Sequence, residues 1–203
     1  VVNFNVASGG GGGTGYYAHV NTSSASQLRC SLHATIKGHT AYPYSGGTTN
    51  TWTILEIADE DPNNSGRILD AYRNRSYAKV TDRAGSGTGL RYNREHTWPK
   101  SLGFPSETGD MGLPTAPHTD GHMLYLSNCD YNSHRGNSPY GTCPGCSSVD
   151  VTQANYGEGG NGDNNRYTGS VYDVWSKRRG DVARAVLYMD IRYEGGTSSK
   201  TGQ

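Results

Sequence analysis

Residues 91–101 read RYNREHTWPKS, and within them an arginine, a carboxylate and an imidazole stand side by side at Arg94, Glu95 and His96. Burying three ionisable groups in succession is costly unless each is paired, so packing alone does not explain the cluster. A surface strand with alternating charge is the alternative interpretation, because a His–Glu neighbour pair is weak evidence for catalysis by itself. The stretch predicts a proton-transfer site only if a second segment supplies complementary groups.

The backbone of this stretch is expected to be a strand that stops close to its histidine. Successive side chains of a regular strand point to opposite faces, so Glu95 and His96 cannot both face one pocket from it. The strand must therefore end, bulge or twist at this point. Pro99, shortly after the histidine, favours an ending.

A second polar segment, SNCDYNSHRGNSPYG, spans 127–141. Its amide and carboxylate oxygens, such as that of Asn132, suit a hard cation like Mg²⁺, which keeps most of its waters and needs few protein ligands. Arg135 in the same segment can hold two oxygens of one phosphate through its planar fork. A base, hard-metal ligands and an arginine together are the groups that phosphodiester hydrolysis requires.

The composition of the 203-residue chain limits what these segments can belong to. Only 33% of the residues are hydrophobic, with 29 glycines and 15 tyrosines, so we expect a compact core with long polar loops. No apolar run reaches the roughly 18 residues of a membrane-spanning helix, so none is predicted. The formal net charge is zero, but basic residues outnumber acidic ones within 66–100. This excess suits a phosphate backbone, although a solvated charged face explains such runs as often.

Three helices are predicted from the spacing of apolar residues and from local stop signals. The first begins at a cap, Ser24 or Ser26, and ends near Gly38. The second covers 51–59, and the third follows Gly180-Asp181 over 181–193, where apolar residues form one stripe.

Four cysteines, at positions 30, 129, 143 and 146, allow three full pairings. Cys143 and Cys146 form a CxxC without the second CxxC of a structural zinc site, and their flanks are unlike a thioredoxin-type redox centre. Together with a Tyr-, Asn-, Gly- and Ser-rich composition, this pattern predicts an exported protein with a short Cys143–Cys146 disulfide. Cys30 and Cys129 either pair or stay free and buried.

The polar stretch DEDPNNSGRILD at 59–70 has the spacing of a calcium-binding loop. Asp59, Asp61, Asn63 and Asp70 take the first, third, fifth and twelfth positions of an EF-hand-like pattern. The usual central glycine and closing glutamate are missing. A calcium ion at Asp59, Asp61 and Asn63 therefore competes with a polar turn that ends a helix.

Three blocks resemble, in the same order, the bacterial endonuclease I family: NREHTWPKS at 93–101, DGHMLYLSNCDYNSHRGNSPYG at 120–141 and GDVARAVLYMDIRY at 180–193. LRCSLHATIKGH and WTILEIADEDP are similar to the N-terminal helices of that family. Its members are exported, nonspecific nucleases of the His-Me finger, or ββα-metal, group. The two site blocks are much more specific than any single triplet.

The resemblance implies an α+β fold, with a mostly helical single domain and long loops around a small ββα-metal core at about 85–140. Residues 16–203 would form the catalytic domain. Residues 1–15 would precede it as a flexible segment, because 9–13 are five consecutive glycines. Val1, with no initiator Met before it, indicates a processed or trimmed chain.

The resemblance also implies roles for single residues. His96 matches the general base, Glu95 and Asn132 match the ligands of one Mg²⁺ ion, and Mn²⁺ or Ca²⁺ could substitute for it. The family's transition-state arginine lies between the two site blocks, where this chain has no arginine at 97–131. Arg135 therefore takes that role as a substitute.

Other residues of these blocks are expected to support the site. The residues expected to contact substrate are Arg94, His134, Trp98 and Lys100. His122 and Asp120 are expected to be structural hydrogen-bonding residues, and Met123 stands where the family has a second His or Asn. His33 is expected to be buried on a helix, whereas His19, His39 and His118 are expected in exposed loops.

We predict from the sequence a secreted or periplasmic, monomeric, Mg²⁺-dependent endonuclease. It is expected to cut DNA, and RNA as well, to 5′-phosphate products. Contacts to phosphate carry no sequence information, which suits nonspecific cutting. Two alternatives stay open. One is a secreted Gly/Tyr/Asn-rich module that binds carbohydrate or another ligand and does not need His96. The other is a structural protein loaded with calcium.

Overall fold

The computed structural model describes residues 15–38, 40–84, 89–102 and 116–193. The glycine-rich segment at 1–15 therefore lies almost entirely outside the described residues. The same is true of His39 and of most of the long loop expected between the two site blocks. None of the described helices is long and apolar enough to cross a membrane.

The described residues contain five α-helices, and the sequence had predicted three of them. The helices are α1 (Ala25–Ile36), α2 (Thr51–Ala58), α3 (Ala116–Thr119), α4 (Cys129–Arg135) and α5 (Ser176–Arg192). The Ser24 side chain caps α1 by accepting from the Gln27 N–H. Asn50 caps α2 through a capping box. The predictions of α1, with Ser24 as its cap, and of α2 are thus confirmed, whereas the Asn50 cap was not predicted.

Helix α5 begins earlier than predicted, at Ser176 rather than near Asp181. Its first turn is held by a distant carboxylate, because Asp163 accepts from the Ser176 N–H at 2.9 Å and from its hydroxyl at 2.6 Å. Gly180 lies inside the helix, where the sequence had suggested a boundary. A cap supplied from another part of the chain leaves no local signal.

Eight short strands form three antiparallel sheets in this part of the chain. The strands are β1 (Glu60–Asp61), β2 (Asn64–Leu69), β3 (Ser76–Ala78), β4 (Tyr92–His96), β5 (Leu124–Asn128), β6 (Ser148–Asp150), β7 (Asn165–Thr168) and β8 (Val171–Asp173). They pair as β1–β2–β3, β4–β5 and β6–β7–β8. Of the residues that the structure describes, 31% are helical and 22% lie in strands, so the expectation of a mostly helical domain is wrong. Most of these strands are too short to show a clear alternation in the sequence.

The β4–β5 pair lies between two hydrophobic clusters. Leu124 and Leu126 of β5 belong to the first cluster, together with Met189 of α5. Trp175 is the largest side chain of the second cluster, which packs around β8. Tyr125 of β5 packs against both clusters. Because the pair is supported on both faces, the residues at its end are held by the whole fold.

Of the two interpretations of residues 59–70, the structure favours the polar turn, because these residues end α2 and fold into the β1–β2 hairpin. The Asp59 carboxylate accepts from the Leu126 N–H at 2.7 Å, Asp61 accepts from the Ser76 hydroxyl at 2.5 Å, and Asp70 accepts from the Asn128 N–H at 2.8 Å. The carboxylates therefore bind separate protein groups. No group of three or more His, Cys, Asp or Glu side chains in the described ranges could hold a metal ion.

Asp59 makes the stability of the fold dependent on pH. Burial raises the pKa of its carboxyl to about 7, against the hydrogen bond from Leu126. The unfolded chain loses this proton near pH 4, so between about pH 4 and pH 7 the group destabilises the native state increasingly. Asp59→Asn removes the charge, and its amide oxygen can still accept from Leu126. We expect the variant to gain stability over wild type with rising pH, so that the difference in free energy of unfolding between variant and wild type is roughly 1–3 kcal/mol larger at pH 8 than at pH 4.

Urea unfolding at the two pH values measures this difference, and Asp61→Asn is the matched control. Hydrogen bonds from Ser76 and Tyr156 outweigh burial and lower the pKa of Asp61. The Asp61 carboxylate therefore stabilises the fold at neutral pH, and this stabilisation is lost in acid. Asp61→Asn should consequently lose stability relative to wild type as the pH rises, which is the opposite of the trend for Asp59→Asn. An Asp59→Asn effect of equal size at both pH values would contradict the prediction.

The predicted disulfide is confirmed. Cys143 and Cys146 are joined with their Cα atoms 5.4 Å apart, and they are three positions apart in the sequence. Cys30, which is half-buried, and Cys129, which is buried, are both free.

Candidate active site

Strand β4 ends at His96 with an unbroken register. Arg94, Glu95 and His96 pair in turn with Leu126, Tyr125 and Leu124 of β5. No bulge interrupts the alternation, so Glu95 and His96 lie on opposite faces of the sheet. The expected ending is present, but it does not bring the two side chains to one face.

The imidazole of His96 is oriented by a backbone carbonyl. Its Nε2 lies 3.0 Å from the His118 carbonyl oxygen, and the His96 and His118 rings stack with their centroids 4.7 Å apart. A carbonyl can only accept, so Nε2 carries the proton and Nδ1 keeps its lone pair. Burial lowers the pKa of His96 to about 3, with smaller effects from His118, Lys100 and Arg94. The ring is therefore neutral at pH 7, and the His118 carbonyl leaves the lone pair of Nδ1 unused.

Two residues of this face were not identified from the sequence. His118 was expected in an exposed loop, and this expectation is wrong, because it lies on α3 with only 6% of its surface exposed. Tyr44 packs its ring against both histidines, with centroids 4.4 Å from His118 and 5.7 Å from His96. Both residues contact His96 only in the folded chain. No pattern in the sequence around them predicts these contacts.

Arg94 lies on the same face of β4 as His96 and holds the Tyr44 segment in place. Its guanidinium carbon is 3.4 Å from the centroid of the Tyr44 ring and 4.0 Å from that of Trp52. It donates to the Tyr44 carbonyl and, at 2.7 Å, to the Thr51 hydroxyl. Burial lowers the pKa of Arg94 to about 10, so the side chain remains charged at neutral pH.

The residues just beyond β4 extend the edge of this site. Lys100 is exposed, and its charge contributes to lowering the pKa of His96. Trp98 is half-buried and donates its indole N–H to the Leu102 carbonyl at 2.9 Å.

Glu95 faces the other way, into a buried polar cluster. Its Oε1 accepts from the Tyr72 hydroxyl at 2.8 Å, from Arg135 Nη1 at 2.8 Å and from the Tyr140 hydroxyl at 3.3 Å. Burial raises the pKa of the Glu95 carboxyl, and the charge of Arg135 opposes that rise. Tyr72 and Tyr140 were missed in the sequence because they lie far from β4 along the chain.

Arg135 is a buried clamp, which differs from the phosphate-binding role expected from the sequence. Only 2% of its surface is exposed. It donates to the Glu95 carboxylate and to the carbonyls of His96, Thr97 and Ser138, so four of its five N–H bonds are used within the protein. Arg135 therefore fixes the Glu95 side chain and the backbone carbonyls of His96 and Thr97, and it stays away from the surface.

Asn132 and Glu95 retain one oxygen each that could bind a cation. Asn132 lies on α4 and donates its amide N–H to the Asn93 side chain at 2.8 Å, and no described residue donates to its Oδ1. The hydrogen bonds to Glu95 from described residues all reach Oε1 and leave Oε2 unused. A carboxylate and an amide oxygen fit a hard divalent ion that keeps most of its waters.

Asp120 and His122 stabilise the turn between α3 and β5. Asp120 Oδ1 accepts from the backbone N–H of His122 at 2.9 Å and lies 3.1 Å from its ring Nδ1. Asp120 Oδ2 accepts from the hydroxyls of Tyr188 and Tyr193 at 2.8 and 2.9 Å. The turn that follows His118 is thereby fastened to α5 and the residue after it.

His134 lies on a different side of α4 from Asn132 and Arg135. Its Nδ1 is 2.7 Å from Asp150 of β6, and its ring stacks on Tyr167 of β7. The structure therefore does not bring His134 into the His96 face or into the Glu95 cluster.

Comparisons with known proteins place this chain in a family of nucleases. The family model for endonuclease I matches residues 24–202. The extracellular ribonuclease of Bacillus amyloliquefaciens is 34% identical over 181 residues, which cover 89% of this chain and 54% of that protein. The extracellular ribonuclease of Bacillus subtilis (strain 168) is 33% identical over 183 residues, with the same shares of 89% and 54%. No solved structure matches the chain significantly.

The chain spans about half the length of the two curated relatives. The family match, in contrast, covers most of the chain and includes His96, Glu95 and Asn132. The chain belongs to the endonuclease I family.

Proposed function

We propose that this chain is a metal-dependent nuclease that hydrolyses the phosphodiester bonds of RNA and DNA without sequence preference and leaves 5′-phosphate ends. The observation that carries the proposal is the neutral His96 ring, whose Nε2 is held by the His118 carbonyl and whose Nδ1 is left to accept a proton. The relatives named extracellular ribonucleases support RNA as a substrate and secretion of the protein. We further propose that residues 16–203 form the catalytic domain and act as a monomer.

His96 acts as the general base in this proposal. A neutral imidazole fixed through one nitrogen can take a proton from water through the other, and such a group typically contributes about 10²–10⁴-fold to the rate. The His118 carbonyl keeps the required tautomer. Tyr44 limits rotation of both rings, and Arg94 holds the Tyr44 segment in place.

Glu95 and Asn132 would hold the cation, for which we propose Mg²⁺, with Mn²⁺ or Ca²⁺ as substitutes. When bound, such an ion supplies positive charge that stabilises the oxygens of the phosphoryl group. Arg135 keeps the Glu95 carboxylate in position through its hydrogen bond at 2.8 Å. The chain order of β4, β5 and α4 is strand, strand and helix, which supports our proposal of a ββα-metal core that carries these residues.

Substrate phosphate is expected to approach along the edge that follows β4. Lys100 is exposed there and close enough to influence His96, so we propose that it contacts phosphate. Trp98 offers a partly exposed aromatic surface beside it. The buried position of Arg135 favours a positioning role in place of a phosphate contact.

Metal dependence is the first test of this function. Wild-type protein should cut single-stranded RNA and plasmid DNA in Mg²⁺ and lose all cleavage in EDTA, with recovery on re-addition of the metal. A carbohydrate-binding module would leave both substrates intact under every divalent condition, and that result would reject the nuclease proposal.

Asn132→Ala is expected to raise the Mg²⁺ concentration for half-maximal cleavage by at least roughly 10-fold, because it removes one of two protein ligands. Asn137→Ala is the matched control, since Asn137 belongs to the same block but is exposed. Cleavage measured across a Mg²⁺ titration compares the two variants. Identical titration curves for Asn132→Ala and wild type would remove Asn132 from the ligand set.

A further inference from the structure

A cationic and aromatic surface lies beside α4, on the side that faces β6 and β7. We call it the Tyr131 surface, and it consists of Arg73, Tyr131, His134 and Tyr167. The Arg73 guanidinium lies 5.4 Å from the centroid of the Tyr131 ring. The His134 ring is nearly parallel to both tyrosine rings, with centroids 6.2 Å from Tyr131 and 5.0 Å from Tyr167. Four flat side chains thus form one row.

Arg73 carries a charge that the described protein does not neutralise. Its guanidinium makes no ion pair or hydrogen bond with any described residue, and its buried Nε has no hydrogen-bond partner there. Asp150 is bound to His134, and Asp130 accepts from the Gly89 N–H. Asp70 accepts from three backbone N–H groups, including that of Arg73 itself, and not from the Arg73 guanidinium. A buried donor without a partner costs about 1–3 kcal/mol. Because Nε is buried, an anionic ligand would accept from the two terminal Nη atoms of Arg73, which make no hydrogen bond with a described residue.

His134 gives the surface a fixed polar edge. Its Nδ1 is held by the nearly buried Asp150 at 2.7 Å, and 41% of its side chain remains exposed. Tyr131 is fixed as well, since its hydroxyl donates to the Val151 carbonyl at 2.8 Å. The row is therefore rigid before any ligand binds, which reduces the entropy lost on binding.

The Tyr131 surface lies close to the proposed cleavage site. Helix α4 contains seven residues and is therefore about 10 Å long. Asn132, the proposed cation ligand, lies between Tyr131 and His134 in sequence but faces β4. A strand whose scissile phosphate lies at Asn132 would reach Arg73 by crossing this short helix.

We propose that the Tyr131 surface binds the phosphodiester backbone of the substrate strand next to the cleaved bond, with Arg73 holding a phosphate and the aromatic row supporting it. This inference rests on the proposed nuclease function. It adds a binding site outside the Glu95 and His96 groups. RNA and DNA strands share the phosphate that Arg73 recognises, and the experiment distinguishes them.

Binding of a fluorescent single-stranded 12-nucleotide RNA, and of the DNA of equal sequence, tests the proposal by anisotropy over a range of salt concentrations. All variants carry His96→Ala, so that the strand is not cut during the measurement. Arg73→Gln is expected to weaken binding and to reduce the slope of log affinity against log salt by about 0.7, the value for one lost phosphate contact on a single strand. Arg73→Lys should restore the slope, and Tyr131→Leu should weaken binding.

Arg75→Gln is the matched control. Arg75 is two positions after Arg73 in the sequence, and its guanidinium also lies 5.4 Å from the centroid of a tyrosine ring, that of Tyr77. An Arg73→Gln slope equal to that of the background, or equal losses for Arg73→Gln and Arg75→Gln, would overturn the proposal in favour of a diffuse positive field. Loss for RNA only or for DNA only assigns the surface to that strand. Failure of the nuclease function itself would appear separately, as wild-type protein that cleaves neither substrate.

Discussion

Replacing His96 by alanine is expected to reduce the cleavage rate by about 10²–10⁴-fold, because the variant lacks the general base. The loss should appear in kcat with both RNA and plasmid DNA, while binding of an uncleaved oligonucleotide changes little. His19→Ala, at an exposed histidine, is the matched control and should cut as wild type does. Unfolding curves for both variants verify that each is folded.

A His96→Ala variant that cuts at the wild-type rate would reject this mechanism while leaving the family assignment intact. The pH profile adds an independent reading. A base accepts protons only while it is neutral, and burial lowers the pKa of His96 to about 3. Protonation of His96 should therefore cause no loss of kcat between pH 8 and pH 5. An acidic limb centred near pH 6.5 that is absent from His96→Ala would contradict the neutral state of this half-buried ring.

Replacing Arg135 by methionine is expected to lower the free energy of unfolding by about 3–5 kcal/mol, because it leaves the buried Glu95 carboxylate without its cation. The carbonyls of His96, Thr97 and Ser138 lose their donors as well. Urea unfolding measures the change at pH 7. Arg29→Met is the control, since Arg29 pairs with Asp190 at the surface and should contribute only about 0–1 kcal/mol.

The double variant Glu95→Gln/Arg135→Met separates the ion pair from simple packing. Removing both charges should restore part of the stability, since an apolar or neutral replacement of a whole buried pair costs less than a broken one. Equal costs for Arg135→Met and Arg29→Met would show that the Glu95–Arg135 pair is not the clamp that its burial indicates.

Features encoded by neighbouring residues were predicted well. Ser24 caps α1 from three residues before Gln27, and Cys143 pairs with Cys146 across a short loop. The end of β4 near Pro99 was also predicted correctly. In each case the atoms that interact are close in the chain, so the residue types and their spacing determine the structure.

Features that depend on distant contacts could not be predicted in this way. The carbonyl that orients His96 belongs to His118, and the first turn of α5 is capped by Asp163. The spacing at 59–70 suited calcium, yet its carboxylates bind backbone and hydroxyl groups from other elements, among them the Leu126 N–H. Arg135 had the right chemistry for phosphate, but its burial against Glu95 becomes visible only in the fold.

The unbroken alternation of β4 makes the length of this strand as important as its residue types. Removing or adding one residue between Tyr92 and His96 would exchange the two faces, turning the imidazole toward α4 and the carboxylate toward Tyr44. Both functional groups would still be present in such a chain, each in the environment that suits the other. The number of residues in β4 therefore decides, together with their identities, which face of the sheet carries the imidazole and which carries the carboxylate.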